Sequence, residues 1–185
     1  MHYCLHLFTR ELPKEREIRS LLFPFSDEFV YRDDDKPIKY PAFTYDYYVI
    51  GGRYAGGLKL LVDKEDEKYN WRFYDKDGRN NRLYISSLLT EMREKSNHLW
   101  YSEEDYYNYM GFRDGFLYVD GAKISDIKKI TEANCYCCLS DNGKAYARIT
   151  WNGKDFIKDE NFDTEYMDLL EEYKDGFLTI FDIHD

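Results

Sequence analysis

The chain is organised around residues 44–57, which read TYDYYVIGGRYAGG. These fourteen residues combine four tyrosines, an aspartate, an arginine and two Gly-Gly steps. Glycine adopts positive φ and allows another group to approach the backbone closely. The guanidinium of Arg53 offers five donors in a planar fork that suits a carboxylate or a phosphate. Core packing alone does not require this combination of glycine, tyrosine, aspartate and arginine. We therefore expect the functional residues of the chain in this stretch.

Two apolar segments at the ends of the chain predict strands that flank this stretch. In a strand over His2–Thr9, residues His2, Cys4, His6 and Phe8 share one face. Residues 177–183 are mostly apolar and predict a central, buried strand. A β-α beginning and an α-β end predict an α+β fold with an antiparallel or mixed sheet. We expect the N- and C-terminal strands at its centre and the helices on one face.

Length and local signals predict how the rest of the chain is divided. With 185 residues, the chain should form one α+β domain over 1–185, with an insertion or subdomain around 63–125. Asp120-Gly121 has the composition of a turn, and Asn142-Gly143 predicts a tight hairpin. A helix is predicted over 163–173, capped by Asp163 and ended by Gly176.

The charge is acidic, with a formal net charge of −10. Residues 151–185 contain eleven acidic and three basic residues, a net charge of −8. Such a surface repels nucleic acid and favours a basic protein partner. The alternative is a solvated helix face that contributes only solubility.

Other composition signals bear on the compartment. The chain has no apolar run of the length a membrane span needs, and its N-terminus lacks the pattern of a signal peptide. We therefore expect a protein of the cytoplasm, with no membrane partner. In that reducing compartment the four cysteines should be free thiols.

Four motifs occur in a defined order along most of the chain. They are Phe23-Pro24-Phe25 followed by Asp27 and Glu28, the segment from Asp46 to Gly56, the Asn142-Gly143 turn, and Asp182-Ile183-His184. In this order they resemble a family of uncharacterised proteins common in bacteriophages and prophages. The chain departs from that family by having Tyr where Trp is usual and by a longer acidic insertion. The resemblance implies an origin in a mobile element and implies no particular activity.

The Gly-Gly-Arg segment predicts a binding site for an anionic ligand. Successive backbone N–H groups and a guanidinium form a nest around phosphate. The alternative is a tight turn with Arg53 paired to Asp46 or Glu28. The candidate ligand-binding residues are Asp46, Tyr47, Gly51, Gly52, Arg53, Tyr54, Glu28, Asp182 and His184.

Histidines on the two terminal strands could add chemistry to that site. If the strands pair, His2, His6, His184 and Asp182 could cluster as a metal site, or Asp182 could orient His184 for acid–base work. The alternative is a structural role in the sheet. Cys135 and Cys138 have CxxC spacing, but strand alternation separates them. We assign no metal, no cofactor and no catalytic residue.

A second set of candidates is acidic and tyrosine-rich, as expected of a surface that docks on a basic groove. These partner-binding candidates are Glu103, Glu104, Asp105, Tyr106, Asp163, Glu165, Asp168, Glu171 and Glu172. The sequence favours a binding protein over an enzyme: a phage or mobile-element accessory protein with a counter-defence, anti-CRISPR-like role. It would occupy a basic nucleic-acid-binding site on a host protein. The alternative is a small-ligand protein for nucleotide or phosphate, or a small hydrolase.

Overall fold

A computed structural model describes residues 1–11, 13, 15–31, 40–54, 56–60, 111–113, 116–130 and 135–185. Most of the insertion expected around 63–125 lies outside these residues. So do four of the partner-binding candidates: Glu103, Glu104, Asp105 and Tyr106.

The central pair of strands joins the two ends of the chain. Strand β1 (His2–Thr9) lies antiparallel to β12 (Phe177–His184), in a register that begins with His2 opposite His184 and ends with Thr9 opposite Phe177. Both strands are almost entirely buried, as mostly apolar central strands should be. The predicted α+β fold with terminal strands at the sheet centre is confirmed.

Four shorter strands complete a six-stranded mixed sheet. On the outer side of β1, β8 (Cys137–Ser140) runs parallel, and β9 (Ala145–Ala147) pairs antiparallel with β8. The turn between β8 and β9 contains Gly143 with φ 85°, which confirms the predicted hairpin. On the outer side of β12, β2 (Tyr47–Ile50) pairs with its C-terminal half and β6 (Gly121–Lys123) with its N-terminal part.

Two smaller sheets lie outside the six-stranded one. The first has the order β4-β5-β3-β7. Its strands are β3 (Leu58–Leu60), β4 (Gly111–Arg113), β5 (Phe116–Val119) and β7 (Ile127–Ile130). The second is a hairpin of β10 (Ile149–Trp151) and β11 (Phe156–Lys158).

Three α-helices occur in the described part of the chain: α1 (Glu15–Leu22), α2 (Asp27–Val30) and α3 (Phe162–Glu172). Helix α3 buries Phe162 and Leu169, and its Tyr166 ring packs against Phe8 of β1. The residue before α3 is Asn161, which makes no side-chain capping bond. The expected Asp163 cap is therefore wrong by two residues, because the helix already begins at Phe162.

The core is built on both faces of the central strands. Leu5, Leu7, Phe8, Ile180 and Phe181 are fully buried, and all are side chains of β1 or β12. All four cysteines are buried free thiols, as predicted. Burial raises the pKa of the Cys4 thiol, so it remains protonated and packs as a small apolar side chain.

Tyr173, at the end of α3, is 1% exposed and donates its hydroxyl to Asp141 Oδ1 at 2.5 Å. Burial is the main cause that raises the pKa of Tyr173 to about 12. The unfolded side chain loses its proton near pH 10 and the folded one near pH 12. The folded state therefore holds the proton more tightly, and stability present below pH 10 is lost as the pH rises to 12.

We expect Tyr173→Phe to reduce this alkaline loss, because phenylalanine has no proton to lose. The measurement is urea unfolding at pH 8, 10 and 11.5. Tyr54, whose pKa is also raised to about 12, should keep part of the pH dependence in the variant. An identical pH slope for both proteins would contradict the assignment.

Candidate functional site

The Gly-Gly turn packs directly onto two aspartates. Gly51 and Gly52 have φ of 67° and 52°, at the point where β2 ends. A Cβ on Gly51 would overlap the carboxylate of Asp120, and one on Gly52 would overlap the side chain of Asp182. Glycine is thus required at both positions, for its backbone conformation and for its lack of a side chain.

The turn donates its backbone N–H groups to the same aspartates. Arg53 N–H donates to Asp182 Oδ2 at 2.9 Å, and Gly56 N–H donates to Asp120 Oδ1 at 2.7 Å. Both carboxylates are almost completely buried, with exposures of 2–3%. The predicted nest does bind anions, but these two anions are side chains of the protein itself.

A pair of histidine–carboxylate contacts adjoins this turn. His2 Nδ1 lies 2.8 Å from Asp182 Oδ1, and His184 Nδ1 lies 2.9 Å from Asp46 Oδ1. The two imidazole rings are 4.8 Å apart and meet edge to face. We call His2, Asp46, Asp182 and His184 the histidine cluster.

The histidine cluster differs from the expected pairing. One alternative from the sequence had Asp182 orienting His184, but Asp182 contacts His2 on the neighbouring strand. The β1–β12 register explains this, because Cys4 is opposite Asp182 and His2 is opposite His184. Residues on neighbouring strands can meet diagonally across one face, whereas i and i+2 on one strand are nearly 7 Å apart.

Aromatic side chains surround the histidine cluster. The Tyr47 ring stacks on His184 at 4.8 Å, and the Tyr54 hydroxyl donates to the backbone oxygen of His2 at 3.4 Å. The Met1 ammonium lies 3.4 Å from His184 Nε2. The side chains of His2 and Asp182 are 10% and 4% exposed, against 29% and 48% for His184 and Asp46. The cluster therefore extends from the buried sheet to solvent.

Most of the predicted ligand-binding residues come together here. The assembled set is Asp46, Tyr47, Gly51, Gly52, Arg53, Tyr54, Asp182 and His184. Glu28 lies exposed on α2, and no contact joins it to this set among the described residues. His6 contacts the Tyr166 hydroxyl at 2.8 Å, under α3, and is separate from the cluster. The described residues contain no group of three or more His, Cys, Asp or Glu that could hold a metal ion.

Sequence reasoning missed the role of Asp120 in this region and gave His2 a different role. Asp120 has the sequence context of an ordinary Asp-Gly turn, yet it receives the Gly56 N–H and lies against Gly51. His2 was considered only for a metal site. The signal for His2 was its place on the face predicted to carry the other histidines.

The acidic helix α3 carries ion pairs to bases of the same chain. Asp163 pairs with Arg148 at 2.7 Å, and Glu172 pairs with Lys144 at 2.6 Å. Glu171 pairs with Lys174 at 2.8 Å. These are exposed surface pairs whose attraction is screened by solvent and salt, so each contributes little and a partner's cations can replace them.

The other two acids of α3 differ from these. Asp168 is exposed and has no ion pair within the described part of the chain. Glu165 has one carboxylate oxygen that is buried without a hydrogen-bond partner among the described residues. Burial, together with the charge of Asp159, raises the pKa of Glu165. The acidic face of α3 is therefore interrupted rather than continuous.

A concave surface feature lies beside the hairpin of β10 and β11. It is a cavity of about 300 Å³, and we call it the aromatic groove. The groove is lined chiefly by Tyr3, Tyr31, Tyr40, Tyr136, Trp151 and Phe156, with Asp185. These residues are distant in sequence, which is why the groove was not predicted.

The comparisons with known proteins give no support for an identity. No protein-family model matches the chain, and no curated protein or solved structure matches it significantly. The resemblance to phage proteins therefore stays a prediction. Within the part of the chain that the structure describes, no helix is long and apolar enough to cross a membrane.

The two glycine positions allow a matched test of the turn. Gly143→Ala places a Cβ in open space at φ 85°, so only backbone strain of about 1–2 kcal/mol opposes it. Gly52→Ala adds overlap with the buried Asp182 side chain to a similar strain. We expect Gly52→Ala to lose clearly more free energy of unfolding than Gly143→Ala in urea titrations. Equal losses would mean that the turn tolerates a side chain at position 52.

Proposed function

We propose that this protein is an accessory protein of a phage or mobile element that acts by binding a basic surface of a host protein. The observation that carries the proposal is the exposed apolar hairpin of β10 and β11. Phe156 is 77% exposed, Ile157 48%, Ile149 39% and Trp151 36%. Ile149, Trp151 and Phe156 share one face of the hairpin, and Ile157, opposite Thr150, lies on its other face. Large apolar side chains exposed on both faces of one hairpin are typical of a surface that another protein covers.

The hairpin is attached to the acidic helix. Arg148 lies at the start of the hairpin, pairs with Asp163 and stacks over the Phe162 ring at 4.5 Å. Asp159, after β11, donates its N–H to the backbone oxygen of Arg148. An apolar centre with charged residues at its edge is the usual composition of a protein–protein interface.

Charge supports a basic partner. The surface around the hairpin includes Asp155 and Asp163, both exposed, and the chain has a net charge of −10. Long-range attraction to a Lys/Arg-rich surface would accelerate encounter, while nucleic acid would be repelled. A host protein surface that normally binds the phosphates of nucleic acid carries the positive charge that this attraction requires.

The expected role is counter-defence, with an anti-CRISPR-like inhibitor in the host cytoplasm as its specific form. The resemblance to phage and prophage proteins supports this setting. In that role the protein competes with nucleic acid for one basic site, so no direct nucleic-acid binding and no membrane partner are required.

We predict that expressing the protein raises the plating efficiency of a phage on a host whose CRISPR effector targets that phage. The double substitution Phe156→Asp and Ile157→Asp should restore the immunity, because it places a charge on each face of the exposed apolar hairpin. Phe29→Asp, which alters a 45% exposed aromatic residue on α2, is the matched control and should keep the inhibition. Circular dichroism of the purified variants verifies that each one is folded.

Two outcomes would refute the proposal at different levels. Unchanged plating with the unmodified protein across the effector types tested would reject the counter-defence role. Inhibition that survives in the Phe156/Ile157 variant would reject the hairpin as the binding surface. Charge reversal at Asp163, Glu165, Asp168, Glu171 and Glu172 tests the contribution of the acidic helix in the same assay.

A second candidate function rests on the histidine cluster. Two adjacent imidazoles, each with its Nδ1 on a carboxylate, form the arrangement used to donate and accept protons at Nε2. The Tyr54 hydroxyl donates to the backbone oxygen of His2, and the positive charge of Arg53 acts on Tyr47 and Tyr54. A guanidinium suits a phosphate group. The corresponding function is binding or hydrolysis of a small nucleotide.

Native mass spectrometry tests this second function. With nucleotide added in excess, we expect a mass increase of one nucleotide that Arg53→Ala abolishes. That variant keeps the backbone N–H that binds Asp182, so the melting temperature should change little. A bare mass with every nucleotide offered would reject the ligand site. A large drop in melting temperature for Arg53→Ala would instead assign Arg53 a structural role.

A further inference from the structure

The aromatic groove presents rings from separate parts of the chain to one cavity. Tyr3 belongs to β1, Tyr136 precedes β8, and their rings stack at 4.4 Å. Trp151 and Phe156 come from the two strands of the hairpin, with ring centroids 4.9 Å apart. A volume of about 300 Å³ is at the lower limit for small-ligand pockets, so the groove suits one long side chain.

The lining favours a cation. Aromatic faces carry the negative part of the ring quadrupole, and they attract guanidinium and ammonium groups. Among the described residues that line the groove, Asp185 is the one with a formal charge. Burial raises the pKa of Tyr3, and the negative charge of Asp185 raises it further, which shows that this charge acts at the groove wall.

Other charged groups lie near the groove. The Met1 ammonium donates to the main-chain oxygen of Asp185, so one cation already lies at this end of the sheet. Asp27 lies nearby on α2; burial, with the charges of Asp185 and Asp46, raises its pKa. Among the described residues, the carboxylates of Asp185 and Asp27 thus both lie near that ammonium.

We infer that the aromatic groove binds an arginine side chain presented by the protein partner. A guanidinium is planar, so it stacks on rings while its edge donates to a carboxylate. The chain already uses this contact: Arg148 lies 4.5 Å from the centre of the Phe162 ring, and Arg10 lies 5.1 Å from that of Tyr173. A lysine ammonium is more strongly hydrated and cannot stack in this way.

The groove is continuous with the proposed binding surface. Trp151 and Phe156 belong both to the groove lining and to the exposed apolar hairpin. A partner seated on the hairpin therefore brings its own side chains to the groove entrance. The inference rests on the proposed function in this respect: it specifies the chemistry by which the basic partner is recognised.

The test is an NMR titration of the full chain with acetyl-Gly-Gly-Arg-Gly-Gly-amide, monitored by backbone amide shifts around the groove. Matched peptides carry citrulline, which is neutral and nearly isosteric with arginine, or lysine in place of arginine. We expect saturable shifts with the arginine peptide and at least a tenfold weaker affinity for the citrulline peptide. Equal binding of the citrulline peptide overturns the cation site, and equal binding of the lysine peptide overturns the arginine assignment.

Variants separate the groove from the general charge of the protein. Asp185→Asn and Asp175→Asn each remove one negative charge, but only the first alters the groove, since Asp175 is exposed and precedes the opposite end of β12. We expect at least a threefold loss of arginine-peptide affinity for Asp185→Asn and no change for Asp175→Asn. Trp151→Leu should lose at least fivefold, while Phe29→Leu, at another exposed aromatic, should match the unmodified protein. Equal losses in both Asp variants would reduce the effect to nonspecific attraction and overturn the inference.

This titration and the plating assay fail independently. Peptide binding without inhibition would keep the arginine site and reject counter-defence. Inhibition without peptide binding would keep the proposed function and reject the groove as its arginine site.

Discussion

The antiparallel register between β1 and β12 is the constraint on which the rest of the structure depends. The register extends over the full length of both strands. It places His2 opposite His184 and Cys4 opposite Asp182. Every other strand of the main sheet is attached to this pair, directly or through β8. A shift of β1 by one residue would turn the buried Leu5 and Leu7 to the opposite face of the sheet. Every cross-strand contact of β1 would be lost with them.

Buried carboxylates connect this register to the Gly-Gly turn. Asp182 receives the Arg53 N–H on one oxygen and contacts His2 on the other. A buried carboxylate without such donors is strongly destabilising, so the turn and the strand require each other. Asp120 and Gly56 repeat the arrangement at the neighbouring strand β6. The segment with the most unusual sequence is thus held at the sheet by two internal anions.

Sequence reasoning was sufficient where the signal was local. The apolar segments at both ends of the chain predicted the terminal strands. The Asn142-Gly143 turn predicted the late hairpin, and the helical segment that ends before Gly176 predicted α3. It was insufficient where partners are distant. The Asp182 contact with His2 spans 180 positions, and Lys144 reaches Glu172 from another element. The aromatic groove joins Tyr3 to Trp151, and no periodicity within either segment encodes that contact.

The histidine cluster and the aromatic groove share one end of the central strands but lie on opposite faces of the sheet. His2 and Tyr3 are consecutive on β1, so strand alternation directs them to different sides. The backbone of Asp185 donates to Met1, and the backbone of Asp46 donates to His184, so one set of hydrogen bonds holds both features. In this fold, backbone hydrogen bonds at the chain ends therefore lie between the strand that carries His184 and Asp185, which lines the aromatic groove.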